Sequence, residues 1–260
     1  MTDLVPDWFD GIPLGAPGPG RFLFSTQKYP IYYLQITKCG CTYLRNLLYH
    51  MDHGTAHPAG SGVHNFNQDF VKADFIPAEM IIASPYVFSV VRDPVDRFLS
   101  LYFDKIANLK NEKDSAMRNR VVRSAGLELT PDMDLAAHRK NALLTIDWFR
   151  RNLRRAEKGK INPHWQRQQE RLSRLDGLSP RLLTLDGLPW QLPALLAPLI
   201  PDIAAQMAAV RVRNASKKPF SHAEIATPEL VERVQHVYAQ DLQTYEKVHA
   251  EWGDAPQQGE

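Results

Sequence analysis

The chain lacks any apolar run approaching the ~20 residues that cross a bilayer, so no membrane span is expected. Its first residues, Met-Thr-Asp-Leu-Val-Pro-Asp, have neither the basic start nor the apolar core of a signal peptide, and a cytoplasmic location is expected. Cysteine is scarce. Cys39 and Cys41 lie two positions apart, too close for a comfortable disulfide, and fit a reducing compartment. Charge of one sign is also lacking: 31 Lys and Arg against 29 Asp and Glu leave a net +2, which excludes a general nucleic-acid binder. There is no internal repeat and no low-complexity tract, which excludes solenoid and fibrous designs. Two catalytic signatures are missing as well. Without G-x-x-x-x-G-K-[ST] there is no nucleoside-triphosphate P-loop, and without H-E-x-x-H there is no support for zinc around His50, His53 and His57. No metal is expected.

What remains is an ordinary globular composition, 44% hydrophobic and 23% charged. At 260 residues the chain reads as one α/β domain over 1–260. Residues 1–20, with the Gly/Pro-rich stretch 11–20, form an irregular lead-in, and 253–260 read as a disordered tail. Residues 52–70 read as irregular, 108–135 as a polar excursion near an acceptor, and about 135–158 as a long helix.

The most informative stretch is Phe88 to Lys105. Tyr86 to Val91 reads as a buried strand with Arg92 at its end; Asp93-Pro94 then opens a helix as N-cap and first-turn proline. In that helix Val95, Phe98, Leu99, Tyr102 and Ile106 make an apolar face, while Asp96, Arg97, Ser100 and Asp104 fall on another. A guanidinium at Arg92 and a hydroxyl at Ser100, eight residues apart at a strand's C-terminal edge, suit a phosphate. An earlier strand candidate, Ile31 to Ile36, runs into Thr37-Lys38-Cys39-Gly40-Cys41-Thr42 and then a helix from Tyr43 to Tyr49. A short loop entering a helix N-terminus offers unpaired N–H groups and the positive end of the helix dipole to an anion. Lys38 adds a mobile charge and Thr42 a hydroxyl.

These two elements, in this order, resemble the 3′-phosphate and 5′-phosphosulfate elements of sulfotransferases that use 3′-phosphoadenosine 5′-phosphosulfate (PAPS). Asn162-Pro-His164-Trp165-Gln-Arg-Gln168 is similar to the H-W-x-x-Q element of the membrane-associated carbohydrate (family 2) branch. Arg211 to Lys218 is similar to that branch's Asn-containing loop, and Tyr238 to Tyr245, within a terminal helix over Glu229 to His249, to its Tyr…Asp…Tyr pattern. The resemblance spans roughly residues 29–250. It implies a P-loop-NTPase-like α/β fold, a parallel sheet of about five strands flanked by helices, and no metal or covalent intermediate. The animal carbohydrate enzymes carry an N-terminal anchor, so a cytoplasmic, bacterial relative is the expectation here.

Under that resemblance Lys38 stabilises the charge that develops as sulfuryl transfers. The backbone of Cys39, Gly40, Cys41, Thr42 and Tyr43, with the Thr42 hydroxyl, holds the phosphosulfate. Arg92 and Ser100, with Lys217 or Lys218, hold the 3′-phosphate. His64 and His164 are the two candidates for the base that takes the acceptor proton, since histidine suits neutral pH. The expected acceptor is a hydroxyl, most simply on a carbohydrate or glycoconjugate; oligomeric state is unreadable. The basic stretch Arg150, Arg151, Arg154, Arg155, Lys158 and Lys160 reads either as a solvated helix end or as a surface for an acidic acceptor. The alternatives are a nucleotide kinase or NTPase on the same fold, and a non-catalytic nucleotide-binding relative.

Overall fold

The computed structural model describes residues 22–72, 76–155, 161–173, 179–211 and 218–253. They pack as two compact units. The first takes the described chain up to Val91, between 170 and 214, and from 246 onward; the second takes it between 92 and 169 and between 218 and 245. The expected lead-in 1–20, nearly all of the tail, Lys158, Lys160, Lys217 and the Asn214 loop lie outside the described residues.

The first unit carries a five-stranded sheet. Its strands are β1 (Leu23–Ser25), β2 (Tyr32–Leu34), β3 (Val71–Lys72), β4 (Val87–Val91) and β5 (Arg181–Thr184), in the order β3-β1-β2-β4-β5. β2, β4 and β5 run parallel, but β1 is antiparallel to both β2 and β3. The expected parallel sheet is therefore a mixed one. The reason is loop length: a parallel link needs a crossover of a dozen or more residues, and only 26–31 separate β1 from β2. That turn is tied down by the Asp52 carboxylate, which accepts the N–H groups of Gln27 and Lys28 at 2.8 and 3.1 Å. β4 is buried along all five residues, as a parallel strand covered on both faces should be. Phe88 in β4 stacks on Tyr33 in β2 with ring centroids 5.3 Å apart.

Helices α1 (Cys41–His53), α2 (Ala78–Ala83), α7 (Leu188–Leu196) and α8 (Ile203–Ala209) belong to this unit, and α6 (Gln168–Leu172) begins in the second unit and ends here. Between α1 and β3 the chain is less irregular than expected, making 3-10 turns at Gly60–Asn65 and Asn67–Asp69. His57 secures them: its Nε2 faces Asp69 at 3.0 Å while its Nδ1 accepts the Ala59 N–H at 3.1 Å. This fixes the ring as the Nε2–H tautomer whenever it is neutral.

The second unit is helical: α3 (Pro94–Leu101), α4 (Ser115–Ala125), α5 (Leu135–Arg155), α9 (His222–Ile225), α10 (Pro228–Val237) and the start of α11 (Ala239–Trp252). Its core gathers Phe98, Leu99, Tyr102, Ile146, Phe149, Trp165 and Val234. α3 runs into a π-helical turn, Tyr102–Ile106, and this change of period buries both Tyr102 and Phe103. Three expectations need correction. The 108–135 excursion contains α4, which ends where Gly126 takes a left-handed conformation. The single terminal helix is two: Tyr238 leaves helical geometry at φ -115° and ψ 34°, and its hydroxyl donates to the Trp165 carbonyl at 2.9 Å. Arg97, assigned to a polar face, is 4% exposed and donates to the His164 carbonyl. Among the described residues no helix is long and apolar enough to cross a membrane.

Asp93 caps α3 as the sequence predicts, its carboxylate accepting from the N–H groups of Val95 and Asp96 at 2.8 and 2.9 Å. Asp93→Ala is expected to cost about 1 kcal/mol, read as a lower midpoint in urea with an unchanged slope.

Candidate functional site

In the first unit, the loop leaving β2 enters α1 through two left-handed residues. Lys38 has φ 68° and Gly40 has φ 76°. A lysine pays strain for that geometry, on the order of 1–2 kcal/mol, and such strain concentrates where function needs it. Gly40 pays none, and a Cβ there would lie 2.7 Å from Leu185 Cδ1, so any larger residue would displace that leucine as well as strain the backbone. Gly40 is also the α1 N-cap and has no side chain to offer, so the first-turn amides of Cys41, Thr42 and Tyr43 receive no side-chain cap. Left-handed residues alternating at a helix start turn backbone N–H groups toward an anion. The Cys39 amide closes a turn onto the Ile36 carbonyl at 3.4 Å. The Cys39 side chain is wholly buried, and the Tyr43 hydroxyl donates to the Met207 carbonyl at 3.1 Å.

His64 comes to this loop. Its Nε2 lies 2.9 Å from Thr42 Oγ1 and 3.6 Å from Cys41 Sγ. Asn46, one turn into α1, holds the 3-10 segment in place by donating to both the Thr42 and Gly60 carbonyls. Burial pushes the Cys41 thiol up, against the opposing pull of the Lys38 backbone N–H and the charges of Lys38 and Arg45. The thiol is thus kept protonated at neutral pH. Lys38, Cys41, Thr42 and His64 form one polar constellation.

In the second unit, Arg92 stands between β4 and the Asp93 cap. Its backbone is gripped by one side chain: Gln168 Oε1 accepts the Arg92 N–H and Gln168 Nε2 donates to the Arg92 carbonyl, both at 2.9 Å. Gln168 is held in turn by Asp241, 1% exposed, which accepts the Gln168 and Gln169 amides at 2.9 and 3.0 Å. Burial raises the Asp241 carboxyl, opposed by the Arg97 charge and those two amides. Ser100 lies two turns along α3, half-buried. His164 has its Nδ1 and its own N–H on Asn162 Oδ1, each at 2.9 Å. Trp165 stacks on Phe149 at 5.1 Å and donates to Asn152.

Gln168 and Asp241 (the Asp of the Tyr…Asp…Tyr pattern) carry structural tasks that sequence alone did not assign, and Asn46 is a further such residue. The signal for the first two was their fixed place in H-W-x-x-Q and Tyr…Asp…Tyr; Asn46 had none. Of the basic stretch, Arg150 lies 3.7 Å from Asp147, while Arg151, Arg154 and Arg155 are exposed at the C-terminal end of α5, where the helix dipole favours them.

The sequence matches the profile described as the sulfotransferase family over residues 21–184, more than half of the chain. No curated protein and no solved structure matches it.

Gln168→Glu keeps the acceptor for the Arg92 amide but removes the donor to its carbonyl. It is expected to cost about 1–3 kcal/mol, measured by chemical denaturation; stability equal to wild type would show that the grip carries nothing.

Proposed function

Because the chain belongs to the sulfotransferase family, we propose that it moves a sulfuryl group from PAPS to an acceptor hydroxyl of a carbohydrate or glycoconjugate. The observation that carries this reading is the Lys38–Gly40 turn at the uncapped start of α1 with His64 beside it. Its donor set suits a phosphosulfate: backbone N–H groups, one hydroxyl and one ammonium. The parallel β2-β4-β5 core, with β2 feeding α1 through this loop, supports a P-loop-like architecture.

In this reading the acceptor oxygen attacks sulfur in line. The new O–S bond forms as the S–O bond to the 5′-phosphate breaks, releasing 3′,5′-adenosine diphosphate (PAP). Lys38 stabilises charge on the departing oxygen, the amides of Cys41 to Tyr43 and the Thr42 hydroxyl hold the phosphosulfate, and His64 takes the acceptor proton. Arg92 and Ser100, with Lys217 or Lys218, take the 3′-phosphate. The carbohydrate assignment is supported by the H-W-x-x-Q resemblance, and the single-domain and cytoplasmic expectations go with it.

A thermal-shift titration tests the cosubstrate. At about 100 times its dissociation constant PAP adds ~2.7 kcal/mol, a rise of roughly 2–4 °C or more for a chain this size. AMP is expected to give less, and stabilisation by Mg-ATP alone would overturn the reading in favour of a kinase. Lys38→Ala is expected to abolish turnover while leaving much of PAP binding. His64→Ala is expected to cost about 10²–10⁴-fold in rate, and His164→Ala much less; the reverse order would move the base to His164.

A further inference from the structure

A second polar relay lies in the helical unit, on the face of α3 that also carries Ser100. Asp96 Oδ1 is 2.8 Å from His222 Nδ1, and Lys218 Nζ bonds to His222 Nε2. The proton positions follow from what each group can do. A carboxylate only accepts, so Nδ1 carries the hydrogen; an ammonium only donates, so Nε2 must present its lone pair. The ring is thus fixed as the neutral Nδ1–H tautomer, linking an anion to a cation. Phe103 supplies the floor: its ring stacks on His222 at 6.3 Å and 4°, and Lys218 Nζ lies 5.9 Å from its centroid.

The placement of Asp96 demands a reason. Its carboxyl is held below the usual carboxylate range by the His222 hydrogen bond first and then by the charges of Arg92 and Lys218. A permanent negative charge among these cations, four residues before Ser100, opposes the binding of a phosphate there. It is explained if the charge is engaged in orienting a cation.

We propose that Asp96 and His222 are positioning residues that hold the Lys218 ammonium beside Arg92, so that the two cations together select nucleotides phosphorylated on the 3′-oxygen. This rests on the cosubstrate reading above. Lys218 makes the contact with phosphate; His222 sets its place, and Asp96 sets the tautomer of His222.

Calorimetric titration of the full chain with PAP and with AMP tests it, using His222→Phe, which keeps a ring over Phe103, Lys218→Met, and the double variant. Each single variant is expected to weaken PAP about tenfold, as loss of a charge-assisted contact does, with AMP unchanged. The double variant is expected to be no weaker than Lys218→Met, because the two residues act as one unit. A general structural lesion would weaken both nucleotides alike and would overturn the proposal. So would wild-type PAP affinity in His222→Phe, or additive losses in the double variant; either leaves the cosubstrate reading standing. Equal binding of PAP and AMP by the wild type would instead overturn the cosubstrate reading, and this inference with it. If His222→Phe does not fold, Asp96→Asn decides. Charge removal alone would tighten PAP and refute the proposal, whereas a lost tautomer lock weakens it.

Discussion

The grip of Gln168 on the Arg92 peptide is the constraint on which the helical unit's chemistry depends. Past the last residue of β4 a backbone N–H and carbonyl would lose their ladder partners, and buried backbone groups cannot go unpaired. Gln168 supplies one donor and one acceptor in the spacing a neighbouring strand would offer. Its own amide and that of Gln169 end on Asp241, whose burial is made tolerable by Arg97 nearby. Three segments distant in sequence thereby fix the backbone of one residue on both sides of its Cα. The Arg92 side chain and the α3 cap start from a backbone that cannot drift, the preorganisation that the proposed role of Arg92 would use.

The Lys38–Gly40 loop is fixed by another route. Lys38 accepts a strained backbone, and Gly40 accepts close approach to Leu185, so that α1 begins without a side-chain cap. An ordinary Ser or Asp at that position would satisfy the first-turn amides internally and leave less for a ligand. Local stability and the exposure of donors are in direct competition at residue 40, and the sequence resolves it toward exposure.

Much of this was legible beforehand, for identifiable reasons. The helix start at Asp93-Pro94 is a local signal, and local signals survive tertiary context. The loop at Lys38 sits between an apolar run and a helical period, so its position was readable although its left-handed geometry was not. β1 was not legible, because three residues after a Gly/Pro-rich stretch carry no period, and its pairing is set by loop length. Gln168 and Asp241 were visible as motif letters, but their work is done across 76 and 73 residues of sequence, a relation no spacing rule encodes. The Tyr238 break is similar, since its hydroxyl finds its partner in the Trp165 carbonyl, 73 residues away.

The last helix has a consequence for how the molecule is made. Trp252 donates its indole N–H to the Leu182 carbonyl in β5 at 2.9 Å, and its ring meets Trp190 at 5.8 Å and the Arg181 guanidinium at 4.8 Å. The edge strand of the sheet is thus completed by residues synthesised some seventy positions later. Neither unit is a continuous stretch of chain. A nascent chain ending before residue 239 lacks both the Trp252 bond to the Leu182 carbonyl and the Asp241 carboxylate that holds Gln168. Completion of that edge therefore waits for a pairing some seventy residues away, the kind of non-local contact that slows folding.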